Sequence, residues 1–429
     1  MNEFNYRGDE LYSENVLVRG IASSVGTPFY LYSQKTLESH FAVFDGAFGK
    51  ISHLTCYSVK ANSNLALLKL FANLGGGLDV VSGGEIFRAL RAGTSPRKIV
   101  YSGVGKTRAE IAYALDFGIL MFNVESPQEL DLINRVAGEM GKKARIALRV
   151  NPDVDPKTHP YISTGLKENK FGIRIEDAMA EYKRAAEMTH IDVAGVDCHI
   201  GSQLTETGPF VDAVAKVTDF VRALMAEGMD IRYLDIGGGL GITYDRETPP
   251  SPAEYANAIL RGIGDLPCTL ILEPGRVIVG NAGLLVTRVL YTKKNRDKNF
   301  IIIDAGMNDM VRPSLYGAYQ GVLPVQRRER PLITADIVGP ICETGDFIAK
   351  DRRMPDFVQD DYIAVESAGA YGFTMSSNYN SRPRIAEVLV NGADWFVVRE
   401  RETYEDLIRN EKVPDHIRDG ETSAEKIGS

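Results

Sequence analysis

Lys60, in the run Tyr57-Ser58-Val59-Lys60-Ala61-Asn62, ends a short apolar stretch and is an amine placed to condense with an aldehyde. A lysine at a strand end is more often only a surface charge, so its neighbours decide the reading. Asp79 closes the next apolar run, Arg149 and Asn151 the fifth, and His199 with Ser202 the sixth, in Asp197-Cys198-His199-Ile200-Gly201-Ser202. A lone histidine is commonly structural. Projecting into the same mouth as Lys60, however, the flat imidazole of His199 could stack on an aromatic ring. The seventh run ends in Asp235-Ile236-Gly237-Gly238-Gly239-Leu240-Gly241, where glycines let backbone N–H groups approach a phosphate. Glycine clusters are also ordinary turns, and this spacing is not the dinucleotide G-x-G-x-x-G pattern. The eighth run ends in Glu273-Pro274-Gly275-Arg276, with a carboxylate able to meet a pyridine nitrogen and an arginine able to meet an anion, or simply a Glu–Arg pair.

Further along, Asp304-Ala305-Gly306-Met307-Asn308-Asp309, then Arg312-Pro313 and Tyr316, offer either a carboxylate clamp or a polar surface loop. In Cys342-Glu343-Thr344-Gly345-Asp346 a proton donor stands beside an ammonium ligand, although a cysteine is also a small core residue. Tyr371, in Gly369-Ala370-Tyr371-Gly372-Phe373, has a hydroxyl that could reach a phosphate or pack in an aromatic corner. A lysine, a ring-stacking histidine, a phosphate loop and a carboxylate at successive strand ends jointly match what pyridoxal 5'-phosphate requires of a protein.

The elements that must position these groups are legible as alternating patterns. Strand-like runs at Leu54–Val59, Leu78–Val81, Lys98–Tyr101, Ile119–Asn123, Arg145–Val150, Val193–His199, Tyr233–Ile236 and Thr269–Leu272 are separated by amphipathic stretches such as Asn64–Leu74, Gly84–Ala92, Pro127–Met140 and Pro209–Ala226. Eight repeats over roughly 230 residues predict an α/β fold with a (β/α)8 TIM-like barrel, whose catalytic residues sit at the carboxyl ends of the strands; an open doubly wound sheet is the alternative. After Ile278 the pattern changes to closely spaced strands, Gly283–Tyr291, Phe300–Asp304, Leu332–Val338, Asp361–Glu366 and Arg384–Val390, which predict a C-terminal all-β domain. The strand-like Thr27–Tyr32 precedes the barrel and is expected to join that domain. The expected division is a barrel over 33–278, a β domain over 1–32 and 279–420, and a charged, apolar-poor flexible tail over 421–429.

Composition narrows the class. The 429 residues exceed the ~250–300 at which one core stops growing. With 44% hydrophobic and 25% charged residues, neither wholesale disorder nor a fibrous repeat is favoured. A net charge of -8 without a Lys/Arg block argues against a nucleic-acid partner. The start lacks a signal-peptide pattern and no apolar run is long enough to span a bilayer, so a cytoplasmic location with no membrane partner is expected. Cys56, Cys198, Cys268 and Cys342 are far apart, which indicates neither a zinc site nor a disulfide framework.

The segments Tyr57–Asn62, His159–Gly165 with Lys170-Phe171-Gly172, His199–Ser202, Gly237–Gly241, Glu273–Arg276, Arg312–Tyr316, Cys342–Asp346 and Ala368–Arg384 together resemble the diaminopimelate decarboxylases, of the alanine-racemase-like, fold-type III pyridoxal phosphate enzymes. The resemblance covers nearly the whole chain. It implies Lys60 as the Schiff-base lysine and His199 on the ring face. Glu273 would pair with the pyridine nitrogen, and Ser202, Gly239, Arg276 and Tyr371 would hold the phosphate region, with Asp79, Gly238 and Gly275 among the cofactor contacts. It also implies a homodimer with shared active sites, each completed by Cys342 as proton donor and Glu343 from the other subunit. The reaction implied is decarboxylation of meso-2,6-diaminopimelate at its D-configured centre to L-lysine and carbon dioxide, the last step of lysine biosynthesis. Arg276, Arg312, Tyr316, Glu343 and Tyr371 are the expected substrate contacts. Ornithine, arginine and carboxynorspermidine decarboxylases share the lysine, histidine and glycine elements and remain alternatives, as does, more distantly, a non-catalytic regulator that keeps the fold.

Overall fold

A computed structural model describes residues 2–154 and 170–417. Eight parallel strands close on themselves: His53–Ser58, Gly77–Val80, Ile99–Tyr101, Met121–Val124, Ala144–Asn151, Ile191–Asp197, Tyr233–Asp235 and Thr269–Leu272. Closure is made by the register Leu270↔His53, Ile271↔Leu54 and Leu272↔Thr55 between the last strand and the first. The chain is therefore a barrel and not an open sheet. Strand positions agree with the sequence expectation to within about two residues, because β-branched and aromatic runs bounded by polar caps are strong local signals.

Helices follow the first seven strands, several with side-chain caps that the sequence supplies. Asn64 accepts from Ala66 N at 2.9 Å, Ser82 from Glu85 N at 3.2 Å, and Thr107 and Ser251 each form a reciprocal capping box with Glu110 and Glu254. The eighth strand is followed only by the short turn Arg276–Val279. The eighth helical position is filled instead by Gln34–Gly46, which precedes the barrel and packs between Pro252–Ile263 and Leu65–Asn73. A small apolar cluster of Cys56, Val100, Met121, Ala147, Ala194 and Ile271, drawn from strands around the ring, fills part of the barrel interior.

The second unit is a mostly antiparallel sheet in the order Phe347–Pro355, Leu332–Val338, Lys298–Ile303, Gly283–Asn295, Phe29–Ser33, Ala386–Asn391, Asp394–Arg399. Phe29–Ser33 lies between Gly283–Asn295 and Ala386–Asn391, so the N-terminal strand does enter this sheet. Phe347–Pro355 and Asp394–Arg399 were not expected as strands. Both are edge strands with mainly exposed or half-exposed side chains, which removes the hydrophobic alternation that would have marked them. Asn62 Nδ2 donates to Gly369 O at 3.1 Å and Tyr371 N to Ala61 O at 2.8 Å, so the sheet is fastened to the barrel beside Lys60. The motif His159–Gly165 and the tail 421–429 lie outside the described residues.

Candidate active site

A cavity of about 390 Å³ opens at the carboxyl ends of the barrel strands and is closed on one side by the sheet unit. Its walls carry Lys60, His199, Ser202, Gly238, Gly239, Glu273, Gly275, Arg276, Arg312, Tyr316 and Tyr371. These eleven residues are scattered over more than 300 positions of sequence, and the fold brings them together.

Lys60 sits in a single 3-10 turn, Val59–Ala61, that breaks the first strand before the Asn64-capped helix begins. Its Nζ donates to Asp79 Oδ2 at 2.9 Å. Ser58 Oγ donates to the same oxygen at 2.7 Å and lies 3.1 Å from Glu273 O, which pins the carboxylate beneath the amine. Burial alone would lower the Lys60 pKa, but the negative charges of Asp79 and Glu273 outweigh it and raise the ammonium above its ordinary value. Asp79 does not line the cavity; it is fully buried under Lys60.

His199 Nδ1 accepts a hydrogen bond from Gly238 N at 3.1 Å, which places any ring proton on Nε2. Burial first, then the positive charges of Arg149 and Lys60, hold its pKa well below the usual imidazole value, so the ring is neutral. A neutral flat ring suits stacking against an aromatic ligand.

At the seventh and eighth strand ends the glycines are required sterically. Gly237 has φ +66° and a Cβ there would fall 2.2 Å from His199 Nδ1; a Cβ on Gly238 would fall 2.2 Å from Glu273 O; on Gly239, at φ +106°, 2.7 Å from Gly201 O. Facing this loop, Arg276 donates to Tyr244 Oη at 2.6 Å and to Ser202 Oγ at 3.2 Å, and its guanidinium lies 4.8 Å from the centre of the Tyr371 ring. Arg276 Nε is buried with no partner among the described residues. A buried guanidinium with an unused donor, beside a bare glycine backbone, is a cradle for an oxyanion. Tyr371 itself is held at φ +55°, a conformation that costs a non-glycine residue roughly 1–3 kcal/mol and is typically retained where geometry matters.

Glu273 is 5% exposed and makes no ion pair with Arg276. Its Oε1 accepts from Ser102 Oγ at 3.2 Å and lies 3.3 Å from Asn123 Nδ2. Arg312 and Tyr316 come from the short helix Arg312–Tyr316, and the Arg312 guanidinium lies 4.6 Å from the centre of the Tyr244 ring. The Asp304–Asp309 segment that precedes them is not part of a clamp. Asp304 accepts from Thr287 Oγ1 and Thr27 Oγ1, and Asp309 from Gly306 N, so these carboxylates hold a turn. Arg149 is likewise occupied, donating to Glu125 at 2.8 Å.

Cys342 and Glu343 are exposed and do not line the cavity of their own chain. Cys342 is therefore not a core residue. Their loop is nonetheless ordered, since Asp346 accepts from Ile341 N and Met307 N, both at 2.6 Å, and Cys342 N donates to Asn380 Oδ1 at 2.8 Å. Tyr244, Ser102, Asn123 and Asp235 take part in the site or its floor without having been singled out from sequence. Asn123 and Ser102 lie within or just after apolar runs, and Tyr244 follows the glycine loop by three residues with no motif of its own.

The donor set fits pyridoxal phosphate: an amine, a neutral flat imidazole, an acidic group and an oxyanion cradle surround one cavity. Among the described residues no group of three or more His, Cys, Asp or Glu could hold a metal ion. Residues 34–280 match the family model of the pyridoxal-dependent decarboxylase, pyridoxal binding domain. The chain belongs to the pyridoxal-dependent decarboxylases. It is 53% identical to the diaminopimelate decarboxylase of Vibrio cholerae, over 96% of this chain and 99% of that one. Among solved structures, diaminopimelate decarboxylase from Helicobacter pylori complexed with L-lysine superposes with a TM-score of 0.89 at 45% identity, covering 91% of this chain and 98% of that one. The structure of diaminopimelate decarboxylase from m. jannaschi gives a TM-score of 0.93 at 40% identity, covering 97% of this chain and 99% of that one. Within its class, the chain is a member of the diaminopimelate decarboxylase family.

Proposed function

We infer that this chain decarboxylates meso-2,6-diaminopimelate to L-lysine and carbon dioxide with pyridoxal phosphate, and that its cavity residues divide the work as follows. Bound pyridoxal phosphate supplies an aldehyde that condenses with amines and a conjugated ring that accepts the electron pair left when the α-carboxylate departs. Lys60 Nζ would be the amine that holds the aldehyde. Asp79 fixes the direction of Lys60 and balances its positive charge. His199 would offer its flat, neutral ring to a face of the cofactor. Glu273 would meet the ring nitrogen. Gly238, Gly239, Gly275, Ser202, Arg276 and Tyr371 would hold the phosphate.

Arg312 and Tyr316, with Arg276 nearby, receive the distal carboxylate of the substrate. A buried guanidinium such as those of Arg276 and Arg312 makes charge-assisted contacts that are geometrically selective for a carboxylate. A substrate lacking that carboxylate would leave these buried donors unpaired, a loss of about 10⁴ in specificity when the site is built around them. That is the observation favouring diaminopimelate over ornithine or arginine: the cavity presents Arg276, Arg312 and Tyr316, and the further acid in its lining, Glu247, is occupied in accepting from Tyr244 N and Asp245 N.

Cys342 and Glu343 act in the cavity of a second copy of the chain. Cys342 delivers the proton that replaces the carboxylate on the α-carbon, directly or through a water, and Glu343 meets the distal ammonium. What supports this reading is their exposure on an ordered loop and their absence from their own cavity. A homodimer acting in the cytoplasm is the corresponding assembly; among the described residues no helix is long and apolar enough to cross a membrane. Cofactor-loaded protein incubated with meso-diaminopimelate should release L-lysine and carbon dioxide in equal amounts. Absence of both despite full cofactor loading would favour a regulator that keeps the fold without the chemistry.

A further inference from the structure

Arg276 and Arg312 are both buried in the wall of the cavity, and among the described residues the acceptors they meet are neutral. Arg276 donates from Nη2 to Ser202 Oγ at 3.2 Å and from Nη1 to Tyr244 Oη at 2.6 Å. Arg312 donates from Nε to the side-chain oxygen of Gln320 at 3.3 Å, and the Gln320 nitrogen is spent on Glu366 O at 2.6 Å. That arrangement leaves the Arg312 Nη groups to the cavity its side chain lines. Burial lowers the Arg312 pKa, and the neighbouring charge of Arg276 lowers it further.

Tyr244 stands between the two cations. Its ring centre lies 4.6 Å from the Arg312 guanidinium and 5.7 Å from that of Arg276, so both pack against one electron-rich ring. The residue is fixed from behind by a turn: Glu247 Oε2 accepts from Tyr244 N at 3.0 Å and Asp245 N at 2.7 Å, and Thr243 Oγ1 donates to Glu247 O at 2.9 Å. Proton polarity then limits what the hydroxyl can do. A guanidinium only donates, so Tyr244 Oη is the acceptor in its bond with Arg276, and the phenol's own proton points elsewhere. No described residue accepts that proton. The hydroxyl, in a side chain that lines the cavity, therefore presents a donor there, and the bond it receives from a cation polarises the O–H and strengthens it. Arg276 shows on which side. It turns Nη2 toward Ser202 and the glycine loop, the phosphate side, and Nη1 toward Tyr244, the side on which Arg312 stands.

We propose that Tyr244 is a specificity-determining residue whose hydroxyl donates to the distal carboxylate of the substrate between Arg276 and Arg312, a role that rests on the reading above in which those arginines receive that carboxylate. A carboxylate offers about four lone-pair sites on two oxygens, enough for Arg312, Tyr316 and Tyr244 together. A phenol at this point selects for an acceptor without adding a third positive charge to two guanidiniums that already repel.

The test is equilibrium binding of L-lysine and of cadaverine to cofactor-loaded protein. L-Lysine keeps the distal carboxylate of diaminopimelate, and cadaverine is the same diamine without it, so their affinity ratio reads the clamp alone. Tyr244→Phe keeps the ring and removes only the hydroxyl, and the visible absorbance of bound cofactor shows that the variant is folded and loaded. L-Lysine binding should weaken by about 10–100-fold, the worth of one hydrogen bond to a charged group, while cadaverine and cofactor affinities stay within about twofold. The KM for meso-diaminopimelate should rise with the loss of L-lysine affinity. Unchanged L-lysine binding overturns the assignment. So does a fall in cofactor affinity, or an equal fall for both ligands, with the lysine-to-cadaverine ratio preserved, because the hydroxyl would then act only through Arg276 on the phosphate side. A wild-type protein that binds the two ligands equally has no carboxylate clamp, and the substrate reading fails with it. A wild-type preference for L-lysine that Tyr244→Phe retains contradicts the role of Tyr244 and leaves the substrate reading intact.

Discussion

Two buried polar clusters of this molecule are alike in composition and opposite in how well they are satisfied. At the seam between barrel and sheet, Glu387 is fully buried and accepts from Tyr32 Oη at 2.8 Å, from Asn64 Nδ2 at 2.9 Å and from Arg399. The nearby Glu14 accepts from Ser33 Oγ at 2.8 Å, Lys35 N at 2.9 Å and Gly392 N at 2.6 Å. Among the described residues of the barrel floor, Asp79, Asn123 and Asp197 each have a buried acceptor atom without a partner, and Arg276 above them has a donor without one. A saturated network locks one geometry, and its members are fastenings. An unsaturated one has been left with capacity, which a structure tolerates where a ligand or a proton supplies the missing partner. Mutation in the two places should accordingly fail in different ways: activity without loss of fold in the floor and cavity, loss of fold at the seam.

The sharpest break is Lys60→Ala, which should lower decarboxylation by about 10⁴-fold or more and abolish the visible absorbance of bound cofactor, with little change in melting temperature. Cys342→Ala should cost about 10²–10⁴-fold in turnover, as expected for a lost general acid, and leave the absorbance intact. Lys60→Ala and Cys342→Ala, dissociated and reassembled together, should regain part of the activity that each lacks. No recovery would count against a cavity shared between copies.

Arg312→Met should raise KM for meso-diaminopimelate by about 10²-fold while affecting cofactor affinity little, the loss of roughly 3 kcal/mol that removing one charged partner entails. At the seam, Glu387→Ala should destabilise the protein by about 3 kcal/mol in denaturant unfolding, because Asn64, Tyr32 and Arg399 lose their common acceptor at once. Retained stability there would erase the contrast between the two clusters.

The smallest expected effect concerns Asp309, whose pKa burial raises to about 7. Its folded-state pKa lies above the unfolded value near 3.9, so between those values the folded state binds more protons and stability falls as pH rises. Asp309→Asn should flatten that part of the pH–stability profile by about a kcal/mol or more; an unchanged slope would mean the carboxyl is ionised throughout.

Much of this was legible in the sequence because barrel architecture converts local signals into function. A strand end is recognisable from the change of apolar to polar residues, and in a barrel all the strand ends face one cavity. Thus Lys60, His199 and Glu273 could be grouped without coordinates. Asn123 could not, since a buried amide inside an apolar run has the same local appearance as any strand residue. Asp235 was visible only as the residue before a glycine loop, and its contact with Asn123 depends on side-chain geometry across the barrel. Tyr244 orients Arg276 and packs against Arg312, yet nothing in Gly241-Ile242-Thr243-Tyr244 signals it. Cys342 and Glu343 were legible as a proton donor beside an ammonium ligand, but their placement in another subunit's cavity came from the resemblance alone.

Whether the cavity pairs lysine-based cofactor chemistry with a clamp for a distal carboxylate is tested most directly by measuring carbon dioxide and amine products from meso-diaminopimelate, L-ornithine and L-arginine in parallel on cofactor-loaded protein. L-lysine from the first, with release from the other two lower by about 10⁴ in kcat/KM, is the predicted result. Comparable release of putrescine or agmatine would contradict the clamp, and release of those alone would overturn the substrate assignment.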